Sequence, residues 1–480
     1  MTEPCDLSAV EARRLIGARK LSPAELVESC LARIEATNPA VNAIVALDAD
    51  GARREAAALG QKLARGDDIG PLGGLPLGVK DLQATAGLRT TWGSLLFKDH
   101  VPPQDELSVA SCRKAGAIVL GKTNTPEFGA GANTRNRVYG ATGNPFDPAK
   151  TCGGSSGGSG VALALGQVPI ATGSDLGGSL RTPAGFCGVV GFRPSPGVVP
   201  NIDRVQSLFP FSVTGPMGRS VADAHLLLRA QMGDNRGDPF SSGDIARIPE
   251  RLGGADLGTL RVAVSPDLGC APVDRAIADV FRTRVARFRH AFKEVQERAP
   301  DFSGVHDIFE TLRCVQFVAA HRERLEKARD LLDRNVIDNT ERGMKLTLPD
   351  VSRANVEQTR LYRRVLAFFG EVDLLICPAA SVSPFPHAQL FVDEMNGEKL
   401  ATYMSWLAIT YAPTTALCCA AVLPCGVDHR GMPFGIQVIG PKGADARVLE
   451  AAHALEQVLA GDAETARPRP DIAKLAAMRR

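Results

Sequence analysis

The sequence predicts an α/β layer fold, and three observations predict it. Short apolar runs of strand length recur between turn residues: Leu75 to Val79, Ala117 to Leu120, Val168 to Thr172, Leu374 to Cys377 and Ile436 to Ile439. Amphipathic or alanine-rich segments of helical length alternate with them, the pattern of strands covered by helices. Glycine and proline, 48 and 32 residues, fall at turns and in one glycine-rich stretch rather than in repeats, so no fibrous or low-complexity class applies.

Taken in order, the chain opens with two helices. Ser8-x-x-Glu11 and Ser22-Pro23-Ala24-Glu25 are capping boxes, the second with proline at its first helical position. Leu26, Cys30, Leu31 and Ile34 share one face of the second helix. A strand is expected over Val41 to Leu47, then a helix to about Arg65 and a turn at Gly70 to Gly74. Leu75 to Val79 is a short strand that ends on Lys80. Ser108 to Lys114 reads as helix and Ala117 to Leu120 as a buried strand. The glycines at 153–160 lead into an apolar helix, Val161 to Leu165, and strand Val168 to Thr172 follows, with a further helix from near Thr182. Phe281 to Arg298 and Ile308 to Asn335 are two amphipathic stretches in a more charged region. Strands return at Leu374 to Cys377, Ala416 to Leu423 and Ile436 to Ile439. Helix Ala444 to Leu459 ends at a Gly461 cap, and the Pro/Arg-rich tail from Thr465 is expected to be solvated.

Composition narrows the function. With 55 basic and 53 acidic residues the formal charge is +2, and aromatic residues make up 5%. Neither a strong field nor stacking surfaces favour nucleic acid, and no apolar run spans a membrane. Met1 to Asp6 carries no basic n-region or apolar h-region, so no secretory signal is expected. Eleven cysteines without a CxxC pair fit reduced thiols in a cytoplasmic protein. Cys418, Cys419 and Cys425 read as small buried residues. No histidine pair has ligand spacing, so neither metal nor cofactor is expected.

The chemistry concentrates in Pro76-Leu77-Gly78-Val79-Lys80-Asp81, Gly153-Gly154-Ser155-Ser156-Gly157-Gly158-Ser159-Gly160 and Gly173-Ser174-Asp175-Leu176-Gly177-Gly178-Ser179-Leu180-Arg181. A serine needs a base, yet no histidine lies between His100 and His225. A lysine at the end of an apolar strand can be that base if burial lowers its pKa toward about 7–8. Glycine lets backbone N–H groups approach a developing oxyanion. These are the parts of an acyl-transfer site.

Together with the stretch through Ser195, with Gly121-Lys122-Thr123-Asn124-Thr125-Pro126-Glu127-Phe128 and with Gly431 to Gly440, these motifs resemble the amidase signature family. The intervals agree with that family's: 75 residues from Lys80 to Ser155 and 24 from Ser155 to Ser179. The resemblance implies one domain over 1–480, a mixed twisted β-sheet surrounded by helices. Within it fall a helical region over 1–70, a signature core over 71–200 and a variable helical substrate wall over 201–350. A return to the core sheet occupies 351–464 and a tail 465–480. It implies Ser179 as nucleophile, Ser155 as proton shuttle behind a cis Gly154–Ser155 peptide, and Lys80 as base. The N–H groups of Leu176, Gly177, Gly178 and Ser179 form the oxyanion hole. Ser156, Asp175 and Arg181 hold the network.

The implied activity is hydrolysis of C–N acyl bonds in small or medium amides, with anilides, esters or carbamates also open, by a monomer or homodimer. Phe209, Phe211, Phe317, Leu346, Tyr403, Met404, Trp406 and Leu407 are expected in an apolar pocket wall. Cys152, and Thr415 to Ala421, depart from the commoner family pattern and leave the pocket shape open. Two alternatives remain. One is the catalytic subunit of a tRNA-dependent glutamine amidotransferase, which shares the signature. The other is an α/β-hydrolase esterase in which Gly153-x-Ser155-x-Gly157 is the elbow, with Asp373 and His387 or His429 as partners. Ser111-Cys112-Arg113-Lys114 lacks the companion motifs of a β-lactamase, and no phosphate-loop ending follows the glycines.

Overall fold

The computed structural model describes residues 3–241 and 248–478. Helices α1 (Ala9–Gly17) and α2 (Pro23–Val41) start where the caps place them: Glu11 N–H donates to Ser8 Oγ, and Ser22 and Glu25 form the reciprocal box. Helix α2 keeps Val41, because Leu26, Cys30, Ile34, Thr37 and Val41 continue one buried face. The strand expected from Val41 therefore begins only at β1 (Ile44–Leu47), after Asn42 turns the chain at φ 56°.

Next come α3 (Ala49–Arg65), β2 (Pro76–Lys80), α4 (Leu107–Lys114), β3 (Ile118–Thr123) and a ribbon of β4 (Arg135–Asn136) with β5 (Gly140–Ala141). The signature region supplies α5 (Gly157–Ala164), β6 (Ile170–Asp175), α6 (Arg181–Cys187) and β7 (Val190–Arg193). Helix α5 starts four residues earlier than its apolar run, since the buried glycines pack as helix. Strand β6 lies two to three residues later than its apolar run and ends on Asp175.

Then follow β8 (Val213–Gly218), α7 (Val221–Gln231), β9 (Arg261–Val264), α8 (Arg275–Phe288), β10 (Glu294–Glu297), α9 (Val305–Ala328), α10 (Arg334–Met344) and α11 (Leu348–Phe368). The first amphipathic stretch thus divides: its end is an edge strand, β10, paired in parallel with β9. The second breaks after Ala328, and Asp333 caps α10 by accepting Asn335 N–H. The chain closes with β11 (Leu374–Pro378), the ribbon β12 (Glu394–Met395) and β13 (Glu398–Lys399), α12 (Ala408–Thr415), β14 (Cys419–Val427), β15 (Pro433–Gly440), α13 (Asp445–Ala460) and α14 (Ile472–Ala477). Strand β14 starts three residues later than read from sequence, because α12 extends to Thr415 and Leu417 turns at φ 61°.

The tail corrects another expectation. Thr465 is buried, Arg467 Nε donates to Gly188 O at 2.8 Å, and Leu475 of α14 joins the core cluster that contains α2. A buried leucine and a backbone acceptor outweigh the solubility of the flanking prolines and arginines.

One eleven-stranded mixed sheet, in the order β1-β3-β2-β6-β8-β7-β14-β15-β11-β9-β10, draws strands from both halves of the sequence. Strands β3, β2 and β6 are mutually parallel, as are β11, β9 and β10, and the remaining pairs are antiparallel. Because β2 and β6 are parallel neighbours, with Leu77 opposite Ile170 and Gly78 opposite Ala171, their C-terminal ends emerge together. That topology brings Lys80 beside the loop after Asp175.

Candidate active site

Lys80 is fully buried, and the Lys80 N–H donates to Thr172 Oγ1 on β6 at 3.0 Å. Its Nζ lies 2.7 Å from Ser155 Oγ, 2.8 Å from Ser156 Oγ and 2.9 Å from Ser174 Oγ. The Ser156 hydroxyl donates to Ser174 O at 3.3 Å, so it receives an N–H from the lysine. A neutral amine offers two N–H donors and one lone pair, which suits three hydroxyl partners. Burial pushes the Lys80 amine down from 10.5 to about 7, against the upward pull of the Asp175 charge. No surface pair with Asp81 exists: that carboxylate is buried and accepts from Thr91.

The serines meet through backbone. Ser156 N–H donates to Ser179 O at 3.2 Å, tying the Ser155 turn to the loop after β6. The Gly154–Ser155 peptide is cis. Ser155 and Ser179 both line one cavity of about 730 Å³, within the range of small-molecule sites. Ser174, which contacts the lysine, was not among the sequence candidates, although it stands in the same motif.

Asp175 and Arg181 hold the loop as an ion pair, and the structure adds Arg193. Arg181 grips the carboxylate with Nε and Nη2, each at 3.0 Å, and Arg193 Nη1 reaches it at 3.1 Å, with all three side chains fully buried. Burial alone would raise the Asp175 pKa, but the two guanidinium groups hold it well below the usual carboxylate range. Arg181 also donates to Thr410 O, Thr414 Oγ1 and Gln437 Oε1. Arg193 could have been singled out, since it lies in the matched stretch through Ser195. The Thr410 and Gln437 contacts come from 229 and 256 residues away and have no local signal.

One assignment needs correcting. Gly178 N–H donates to Asp175 Oδ1 at 2.8 Å, so it is turned away from an oxyanion. No acceptor among the described residues takes the N–H of Leu176, Gly177 or Ser179. The glycines are still needed. A Cβ on Gly178 (φ 127°) would fall 2.2 Å from Thr410 Oγ1, and one on Gly177 would fall 2.8 Å from Phe309 Cζ.

Of the expected wall, Phe317, Met404 and Leu407 line the cavity. Phe211 and Trp406 lie in the core instead, Phe209 packs against it, and buried Tyr403 hydrogen-bonds to Arg313. Leu346 does not border the cavity either. Sequence reading missed Trp92, Phe97, Phe128 and His321, which with the expected Phe317 form a row of aromatic rings whose successive centroids lie 4.7 to 6.2 Å apart. Trp92 and Phe128 hold left-handed φ values of 52° and 48°, uncommon for bulky side chains. Helix α9 forms one side with residues 313, 316, 317, 320, 321 and 324, a spacing visible in the sequence once the helix is known to face a cavity.

The esterase reading finds no support. Asp373 pairs with Arg261, and neither His387 nor His429 hydrogen-bonds to Ser155 among the described residues. Burial and the Arg324 charge push His321 down to about 3, and its Nδ1 lies 3.1 Å from Arg324 Nη1. Glu3, Cys5 and Asp6 are the one group of clustered metal-type donors among the described residues, and both carboxylates pair with Arg33. Cys418, Cys419 and Cys425 are buried.

The family described as Amidase matches residues 25–449. An acylamidase of Rhodococcus erythropolis is 34% identical over 455 residues, covering 94% of this chain and 95% of that protein. A glutamyl-tRNA(Gln) amidotransferase subunit of Synechococcus sp. (strain RCC307) is 33% identical, covering 92% and 94%. The crystal structure of a bacterial aryl acylamidase of the amidase signature family superposes with a TM-score of 0.87 at 26% identity, over 99% of both chains.

Proposed function

The chain belongs to the amidase family, and from that premise we propose how its site hydrolyses amide C–N bonds. The observation that carries the reading is the contact of a buried, near-neutral Lys80 amine with Ser155 Oγ at 2.7 Å. Ser179 attacks the acyl carbon and passes its proton to Ser155, which passes its own to Lys80. The carbonyl oxygen becomes an oxyanion held by the N–H groups of Leu176, Gly177 and Ser179, each such donor contributing about 3 kcal/mol. As the tetrahedral centre collapses, Ser155 protonates the leaving amine and recovers a proton from Lys80. Water then enters by the same relay, and the carboxylic acid leaves with Ser179 restored.

The substrate in this reading is a small or medium amide with an aryl or apolar portion, anilides first. The row of rings beside the cavity supports it, as do the acylamidase and aryl acylamidase relatives. The protein acts alone, as a monomer or homodimer, in the cytoplasm; all eleven cysteines are free, ten of them buried. The amidotransferase reading rests on the relatives of that name. Purified protein decides between them. A fluorophosphonate probe should label Ser179, and a panel of anilides, aliphatic amides, aryl esters and carbamates should favour anilides. Labelling of Ser155 would overturn the roles, and glutaminase activity that needs a second protein would overturn solitary action.

A further inference from the structure

Arg313 is 3% exposed and borders the cavity, yet no carboxylate lies within ion-pair distance of it among the described residues. Glu310, one turn earlier on α9, is engaged by Arg342 at 2.8 Å and by Thr402 Oγ1 at 2.7 Å. The guanidinium donates only to neutral oxygens, Asn339 Oδ1 and Tyr403 OH, and its Nε–H has no acceptor among the described residues. Its Cζ lies 4.6 Å from the Phe317 ring centroid and 5.4 Å from that of Tyr403. A buried cation with neutral partners alone is costly, and an incoming anion relieves that cost.

Its place in the site says which part of a substrate it meets. Phe309, four residues before Arg313, touches Gly177 beside the nucleophile. One helical turn, about 6 Å, therefore separates Arg313 from the residue that packs on the oxyanion loop. Ser155, the donor to the leaving amine, instead neighbours Gly129, whose added Cβ would lie 3.3 Å from Ser155 Oγ. Phe128 is next in the chain, and Phe97 and Trp92 follow in the row of rings. Arg313 and Phe317 thus stand on the side of the cavity that adjoins the oxyanion loop through Phe309, whereas Phe128 and Phe97, nearer Ser155, lie under Arg324 at 5.0 and 5.8 Å. That guanidinium already donates to Ala320 O and lies 3.1 Å from His321 Nδ1.

We propose that this site takes aryl half-amides of short dicarboxylic acids, with the free carboxylate of the acyl chain bound bidentately by Arg313. A planar guanidinium matches a carboxylate in this way, and a lysine ammonium does not. The proposal rests on the amide-hydrolysis reading above and narrows its substrate.

The test compares glutaranilate and succinanilate with their neutral counterparts, pentananilide and butyranilide, on wild-type protein and on Arg313→Gln and Arg313→Lys. Wild type should favour glutaranilate or succinanilate over the matched neutral anilide by at least tenfold in kcat/KM. Arg313→Gln should bring that ratio to about one, and Arg313→Lys should restore part of it. Glutaranilate should slow fluorophosphonate labelling of wild-type Ser179 more than pentananilide does, which decides the matter even if the variants fail to fold. Equal or better turnover of the neutral anilides by wild type, or an unchanged ratio in Arg313→Gln, overturns the proposal. If Ser179 is labelled and pentananilide is cleaved without carboxylate preference, this inference alone falls. If Ser179 is not labelled and no anilide is cleaved, the amide-hydrolysis reading falls with it.

Discussion

Replacing Lys80 with methionine should abolish activity and make the protein more stable. The amine is fully buried, and its pKa falls from 10.5 to about 7, a difference of about 5 kcal/mol between its protonation states. Between pH 7 and 10.5 an unfolded chain holds a proton that the folded chain has released, so stability rises with pH across that window. Below pH 7 both states are protonated and the full penalty persists. Lys80→Met removes the penalty but loses contacts with Ser155, Ser156 and Ser174, worth about 1 kcal/mol each. The expected net gain at pH 7 is about 1 to 3 kcal/mol. In urea titrations the advantage of the variant should shrink by about 3 to 4 kcal/mol from pH 7 to 10, a differential that cancels Lys122 and the tyrosines. Wild-type kcat/KM for an anilide should rise with unit slope below about pH 7, reach a plateau near 8 and stand about 100-fold lower at pH 5. A variant less stable than wild type at pH 7, or a kinetic limb centred above pH 9, would refute the reasoning.

Other outcomes follow from the same geometry. Asp175→Asn leaves Arg181 and Arg193 buried without a counter-charge and should cost about 3 to 5 kcal/mol in urea. Gly178→Ala places a Cβ 2.2 Å from Thr410 Oγ1 and should slow fluorophosphonate labelling of Ser179 at least about tenfold. Deleting residues 465–480 removes the Arg467–Gly188 bond and buried Leu475, so the urea midpoint should fall; an unchanged midpoint would mean that the tail does not hold the fold. We propose that the whole chain is one cooperative unit, because the sheet mixes strands from both halves, and calorimetry should show a single transition.

The parts of the site legible in the sequence are those that lie in three short motifs at fixed intervals. Ser155 and Ser179 could be picked because their histidine-free, glycine-rich stretch leaves few ways to activate a serine, and Lys80 because its interval to them matches a family pattern. Asp175 and Arg181 could be picked because they flank the same loop. Strand boundaries drifted by two or three residues where apolar runs continue past the pairing, as at Val168 and Ala416. The groups that escaped detection act over long separations. Thr410 fixes the Gly177 carbonyl at 2.7 Å from 233 residues away, and Trp92 and Phe128 reach the cavity by backbone turns that no hydrophobic period encodes. The single Gly178 reversal has the same origin. The Leu176-Gly177-Gly178-Ser179 motif sets four N–H groups near Ser179, the proposed nucleophile, but only the position of Asp175 decides which of them remain free. Catalytic identity is written locally because chemistry needs particular atoms. The cavity wall is distributed over α9, over Asn201, Asp203, Arg204, Val205 and Ser212, and over the loops after β2 and β3, and it becomes readable only when the fold places them around one cavity.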